Sequence, residues 1–232
     1  MGKHRMPKAQ GLYSPAYEHD SCGVGFIVHL KGNRSHQIVD DGLTALEHLN
    51  HRGASGSEPN TGDGAGILIQ VPHEFFRREC AALNIRLPEA GQYGVGMLFG
   101  SQDERANRQA MALFTAIVEE EGQHLLGWRH VPTNNSSVGA SALAVEPSMH
   151  HVFIARGAGL ADDDAFERKL YVIRKRFEKA ILRWGVKDEE YFYFPSLSCR
   201  TLVYKGMLTA MQLREYFPDL SCLLYTSPSP RD

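Results

Sequence analysis

The chain has 232 residues, a formal charge of −2, 43% hydrophobic residues and 22% charged ones. That is enough polypeptide for one large domain with a substantial core, and its residue usage is ordinary for a globular protein. No global basic field is present to hold nucleic acid, and no apolar run approaches the roughly 20 residues that a membrane helix needs. The four cysteines are scattered with no C-x-x-C pair, against a disulfide framework or a zinc site, and the expected compartment is the reducing cytoplasm.

Residues 1–21 hold basic and turn residues but no apolar h-region, so they do not read as a secretory signal. Asp20-Ser21-Cys22-Gly23-Val24-Gly25-Phe26 follows. A cysteine at this junction would become N-terminal on removal of the leader and carry a thiol and an α-amine on one residue. The amine of a model peptide titrates at about 7.7–8.0, so it can take the thiol proton near neutral pH, a recognised way to activate a nucleophile. The bland alternative is a small core cysteine opening a strand.

Further along, residues 24–30 pattern as a strand. A short helix follows, N-capped by Asp40 or Asp41, with Leu43, Leu46 and Leu49 at helical spacing and His51-Arg52-Gly53 closing it. Thr61-Gly62-Asp63-Gly64-Ala65-Gly66 then leads into Ile67-Leu68-Ile69. Three glycines in five residues admit backbone approaches that a Cβ would forbid. No Gly-Lys-Ser/Thr follows, so this is not a phosphate-binding loop; alone it would be a tight turn entering a strand.

Strands are expected at 67–71, 94–99, 141–145, 151–155, 191–194 and 201–204. Cys80 falls in an amphipathic helix pattern and Cys199 in a strand segment, both as packing residues. One clear helix opens at Ser101 with a capping box to Glu104, carries Ala110, Leu113, Phe114, Ile117 and Val118, and stops near Gly122. Another opens at Asp162-Asp163-Asp164, buries Phe166, Leu170, Ile173, Phe177, Ala180 and Ile181, and ends at Gly185. Its Arg168, Lys169, Arg174, Lys175 and Lys179 are interspersed with Glu167 and Glu178, the pattern of a solvated face. Strands and helices do not alternate strictly, which favours a layered α+β arrangement over a parallel doubly wound sheet. His48 and His51 have a metal-like spacing, but no partner completes it, so no metal is expected.

Three of these segments, with the approach Tyr17-Glu18-His19-Asp20-Ser21 and the later Ser196-Leu197-Ser198-Cys199-Arg200-Thr201-Leu202-Val203-Tyr204-Lys205-Gly206-Met207, resemble the N-terminal glutaminase domain of the glutamate synthase large subunit. That domain is a class II glutamine amidotransferase. The resemblance covers about residues 12 to 220. Cys-Gly-Val-Gly and His-Arg-Gly mark class II amidotransferases broadly, whereas the glycine loop and the Ser-Leu-Ser segment point to glutamate synthase.

The resemblance implies a four-layer αββα sandwich of the N-terminal-nucleophile hydrolase type, incomplete at its C-terminus. It divides the chain into a leader (1–21), the amidotransferase domain (22–221) and a tail (222–232) that reads as a non-native scar. It makes Cys22 the catalytic nucleophile, Arg52 the substrate-binding residue, and Gly62, Asp63 and Gly64 a site loop. Arg52's planar fork suits a carboxylate; its ordinary alternative is a helix-end charge. L-glutamine would be hydrolysed through a thioester, its ammonia feeding glutamate synthesis from 2-oxoglutarate. FMN and an iron–sulfur cluster are implied for synthase domains of the parent chain, with none in this part, and a small electron-delivering subunit is an expected partner. The alternatives are another class II amidotransferase, or an incomplete fragment without activity, since the Asn-Gly loop that the family uses for its oxyanion hole is not in the sequence.

Overall fold

A computed structural model describes residues 8–11, 14, 22–50, 58–185 and 191–222. In chain order these form α1 (His36–His48), β1 (Ala65–Gln70), α2 (His73–Ala82), β2 (Tyr93–Gly100), α3 (Glu104–Glu120), β3 (His124–His130), α4 (Ala140–Leu143), β4 (Ser148–Ala155), α5 (Asp163–Trp184), β5 (Tyr193–Ser198), β6 (Thr201–Gly206), α6 (Gln212–Tyr216) and α7 (Pro218–Cys222). The fold class is α+β. All described strand pairs are antiparallel, in a four-stranded sheet of order β3-β4-β2-β5 and a two-stranded sheet β1-β6.

The two long helices follow from periodicity and caps. On α3, Ala106, Ala110, Phe114, Ile117 and Val118 are buried. The Asp103 carboxylate accepts from the Arg105 and Ala106 amides at 2.8 and 3.2 Å, so the N-cap is Asp103 and not Ser101. Ser101 instead accepts the Asp103 amide through its hydroxyl, at 2.9 Å. On α5, Asp162 caps the Ala165 amide at 2.7 Å, and the stripe Phe166, Leu170, Ile173, Phe177 and Ile181 is buried. The α3 and α5 stripes join Leu98, Val152, Ile154 and Phe194 of the four-stranded sheet in one core cluster. Fully burying one such phenylalanine contributes about 1.5–3 kcal/mol. On the polar side of α5, Lys169 pairs with Glu121 at 2.7 Å and Arg174 with Glu178 at 2.9 Å, as a solvated, ion-paired face requires.

Tyr93, Val95, Met97 and Phe99 alternate along β2 and therefore face away from Leu98. They belong to a second cluster with Ile69, Leu202 and Tyr204 of the two-stranded sheet, and with residues of α2, α6 and α7. Inside it lies an ion network. Arg129 of β3 donates to both Asp219 oxygens at 2.7 and 2.9 Å and to Glu79 at 3.0 Å, and the Tyr204 hydroxyl donates to Asp219 at 3.1 Å. Burial alone would lower the Arg129 pKa; its hydrogen bonds and charge pairing with Asp219 and Glu79 more than offset that and raise it.

The chain passes from one sheet to the other at Ser198–Thr201, between β5 and β6. The Ser198 hydroxyl donates to Glu167 of α5 at 2.8 Å and accepts the Arg200 and Thr201 amides at 2.9 and 3.1 Å, while Ser196 accepts the Val203 amide at 3.0 Å. The Ser-Leu-Ser segment thus builds a turn. Cys199 lies in that turn, not in a strand, with its amide on Glu167 at 2.7 Å.

Four further expectations are corrected. Residues 141–145 form α4 and its exit, because Ala-Ser-Ala-Leu is a good helix-forming run and no strand pairs with it. The helix near residue 40 begins earlier, at His36, with Ser35 as N-cap, so Asp40 and Asp41 are helix-interior residues. That helix ends at His48 with Leu49 as its C-cap, and His51, Arg52 and Gly53 lie outside the described residues. Residues 24–30 are not a strand: no described strand pairs with them, and Val24, Phe26 and Leu30 are 89%, 88% and 98% exposed. An apolar run forms a strand only when its backbone groups find a ladder partner. Among the described residues no helix is long and apolar enough to cross a membrane.

Candidate active site

The proposed nucleophile and the glycine loop reach their places by different means. Cys22 is exposed, and Gly23 beside it packs on Leu49, just beyond the end of α1. Among the described residues no hydrogen bond joins Cys22 to the glycine loop.

The loop itself is tightly built. A Cβ on Gly62 would lie 2.3 Å from the Leu208 carbonyl oxygen, so the backbone runs against the Leu208–Thr209 segment where only hydrogen fits. Gly64 has φ of 139°, a conformation that L side chains rarely adopt. From there β1 runs antiparallel to β6, with Ala65 opposite Gly206 and Gly66 opposite Lys205.

Upstream, the loop is anchored from three directions. The Thr61 amide donates to the Glu58 carbonyl at 3.2 Å, and the Glu58 carboxylate accepts the Ser141 amide at 3.1 Å. The Asn60 carbonyl accepts the Gly139 amide at 3.1 Å and the Gln212 side-chain amide at 3.0 Å. Neither Glu58 nor Gln212 stands in a recognisable motif, and only their three-dimensional neighbours mark them.

A cleft of about 710 Å³ adjoins the loop, with Asp63, Gly64, Leu68, Tyr191, Lys205 and Glu146 among its walls. Its lining is chiefly apolar and aromatic. The Lys205 ammonium sits 4.9 Å from the centroid of the Tyr193 ring. Glu146 is already engaged, accepting from the Tyr216 hydroxyl at 2.7 Å and the Asn135 side chain at 2.8 Å.

The cysteines divide into two classes. Cys80 and Cys199 are buried, and burial pushes both thiols up to about 12, with Glu167 adding to the effect at Cys199. A thiol held so high supplies almost no thiolate at neutral pH. Cys22 and Cys222 are exposed. No group of three or more metal-ligating side chains occurs among the described residues.

The family model for class II glutamine amidotransferases matches residues 22–228, and its first matched residue is Cys22. The chain belongs to this family. The amidotransferase is 50% identical over 95% of its length to the glutamate synthase [NADPH] large chain of Bacillus subtilis. It is 42% identical over 96% of its length to glutamate synthase [NADH] of Schizosaccharomyces pombe, and 40% identical over 96% to ferredoxin-dependent glutamate synthase 2, chloroplastic, of Arabidopsis thaliana. It spans 14%, 10% and 13% of those three proteins.

Proposed function

We propose that this amidotransferase is the glutaminase domain of a glutamate-synthase-type protein, with Cys22 as its N-terminal nucleophile after removal of residues 1–21. The observation that carries the reading is the start of the family match at an exposed cysteine. Agreement with three glutamate synthases of different electron donors, each over nearly the whole chain, supports the synthase assignment over other class II amidotransferases.

In this reading the freed α-amine takes the Cys22 proton, and the thiolate attacks the side-chain amide carbon of L-glutamine. The tetrahedral intermediate collapses with loss of ammonia, protonated by the same amine, to leave a γ-glutamyl thioester. Water attacks the thioester, releasing glutamate and restoring the thiol. Arg52 holds the substrate α-carboxylate, and Gly62, Asp63 and Gly64 form the loop beside it. The two antiparallel sheets with their flanking helices are read as part of a four-layer αββα sandwich of the N-terminal-nucleophile type.

The likeness to glutamate synthases supports assigning FMN and an iron–sulfur cluster to synthase domains elsewhere in the parent chain, where the ammonia meets 2-oxoglutarate and a small subunit or ferredoxin delivers electrons.

The test is glutamine hydrolysis by the full-length protein that carries this domain, with its N-terminus determined by intact mass. Active protein should begin at Cys22, and Cys22→Ser should abolish hydrolysis. Full activity in protein that retains Met1 would overturn the mechanism.

A further inference from the structure

Gln212 is 6% exposed and lies at the start of α6, at the junction of three separate segments. Its carbonyl oxygen accepts the Thr209 amide at 2.8 Å. Its nitrogen donates to the Asn60 carbonyl at 3.0 Å and to the Ser137 carbonyl at 2.6 Å. Both N–H bonds and the oxygen are thus engaged with main chain. The amide has one workable orientation, because flipping it would set an oxygen against two carbonyls and a nitrogen against an amide N–H.

Two of these partners flank the glycine loop. Asn60 immediately precedes Thr61 and Gly62, while Thr209 follows Leu208, whose carbonyl Gly62 abuts. The third, Ser137, belongs to the segment whose Gly139 amide donates to the same Asn60 carbonyl at 3.1 Å. One side chain therefore fixes the distance between the entry of the loop and the wall it leans on. Thr61, 8% exposed, is held in the same corner, 3.4 Å from the Ser141 hydroxyl.

We propose that Gln212 is a positioning residue for glutamine binding, holding the Gly62-Asp63-Gly64 loop at the register that meets the substrate. This rests on the glutaminase reading above and extends it to a residue outside every motif. Gln212 does not line the cleft beside the loop; it acts through Asn60 and the Leu208–Thr209 wall. Its loss should therefore weaken substrate binding without changing the chemistry at the thiol.

Gln212→Met keeps the volume and removes all three hydrogen bonds, and Gln212→Asn keeps an amide on a shorter arm that cannot span all three partners. In the full-length protein, Gln212→Met should raise the KM for glutamine about tenfold, the scale of one or two hydrogen bonds, with kcat within about twofold of wild type. Gln212→Asn should raise KM by a smaller factor, which keeps the proposal testable if the methionine variant folds poorly. Backbone amides at 60–64 should exchange faster in both. An unchanged KM with a lowered melting temperature would overturn the positioning role and leave Gln212 a packing residue. Wild type and Cys22→Ser, run alongside, separate the two levels: wild-type hydrolysis that Cys22→Ser abolishes, with an unchanged KM in the Gln212 variants, rejects this inference alone, whereas absence of glutamine hydrolysis in the wild type rejects the glutaminase reading and this inference with it.

Discussion

Arg129 and Asp219 meet through two parallel hydrogen bonds of 2.7 and 2.9 Å in a pocket where each side chain is almost wholly shielded from water. The pair links β3 to α7, and Tyr204 ties β6 to the same carboxylate. Asp219→Asn leaves a buried guanidinium with one of its carboxylates missing, which should cost about 3–5 kcal/mol in urea unfolding. Arg129→Met combined with Asp219→Leu should recover part of that loss, because the buried guanidinium goes with its carboxylate, while Glu79 is a third exposed to water and the Tyr204 hydroxyl loses a buried partner. A cost below about 1 kcal/mol for Asp219→Asn would show that the network contributes little.

Thiol reactivity separates the four cysteines. A simple alkylating reagent at pH 8 should modify exposed Cys22 and Cys222 and spare Cys80 and Cys199, whose thiols stand at about 12. A glutamine-analogue electrophile should label Cys22 alone, read by peptide mapping. Labelling of Cys222 by the analogue would place the nucleophile at the wrong end of the domain.

Arg52→Lys keeps the charge and loses the two-pronged geometry. If the guanidinium pairs with the glutamine carboxylate, kcat/KM should fall by the equivalent of about 1.5–3 kcal/mol, chiefly through KM. A normal KM with a lowered melting temperature would make Arg52 a residue of stability and not of substrate binding.

Stability should also decline in mild acid. Burial, with the charge of His130 nearby, lowers His150 to about 4, and burial holds His151 well below its usual value, with Arg129 and His150 adding to it. Unfolded imidazoles titrate near 6.5, so between that pH and about 4 the unfolded chain binds more protons than the folded one. The stabilisation is complete above 6.5 and is lost as pH falls through this window. The lowered carboxylates Glu121 and Glu178 act from 4.5 downward, at the foot of this window, and Asp40 from 3.8, below it. Wild type should melt lower at pH 5 than at pH 7.5, and His150→Gln should narrow that gap. An equal gap in both proteins would exclude His150 as a source.

What the sequence disclosed depended on how local the determinants are. Helix α5 could be read almost to the residue, since Asp162, the spacing of Phe166 to Ile181, and Gly185 are all near neighbours. Strand β3 was missed because His124–His130 does not alternate cleanly, and its register against β4 shifts between Leu125 and Gly127. Residues 24–30 show the converse: an apolar, glycine-punctuated run specifies a strand only together with a partner. At the site, Cys22 and the glycine loop announce themselves by composition. Gln212 and Arg129 do not, because their meaning lies in partners 75 to 152 and 50 to 90 residues away.

The pairing of β1 with β6 sets a timetable for synthesis. Gly66 faces Lys205, so the strand that follows the glycine loop emerges from the ribosome early and waits for a partner made near the end of the described domain. Closing so long a loop is entropically expensive until the intervening core exists. The glycine loop is therefore among the last features to settle, and a half-made chain holds it open. Nascent chains arrested before residue 201 should be cut by protease within 61–66, and chains extended beyond residue 222 should resist. Equal cleavage in both would mean that the loop takes shape without its distant strand.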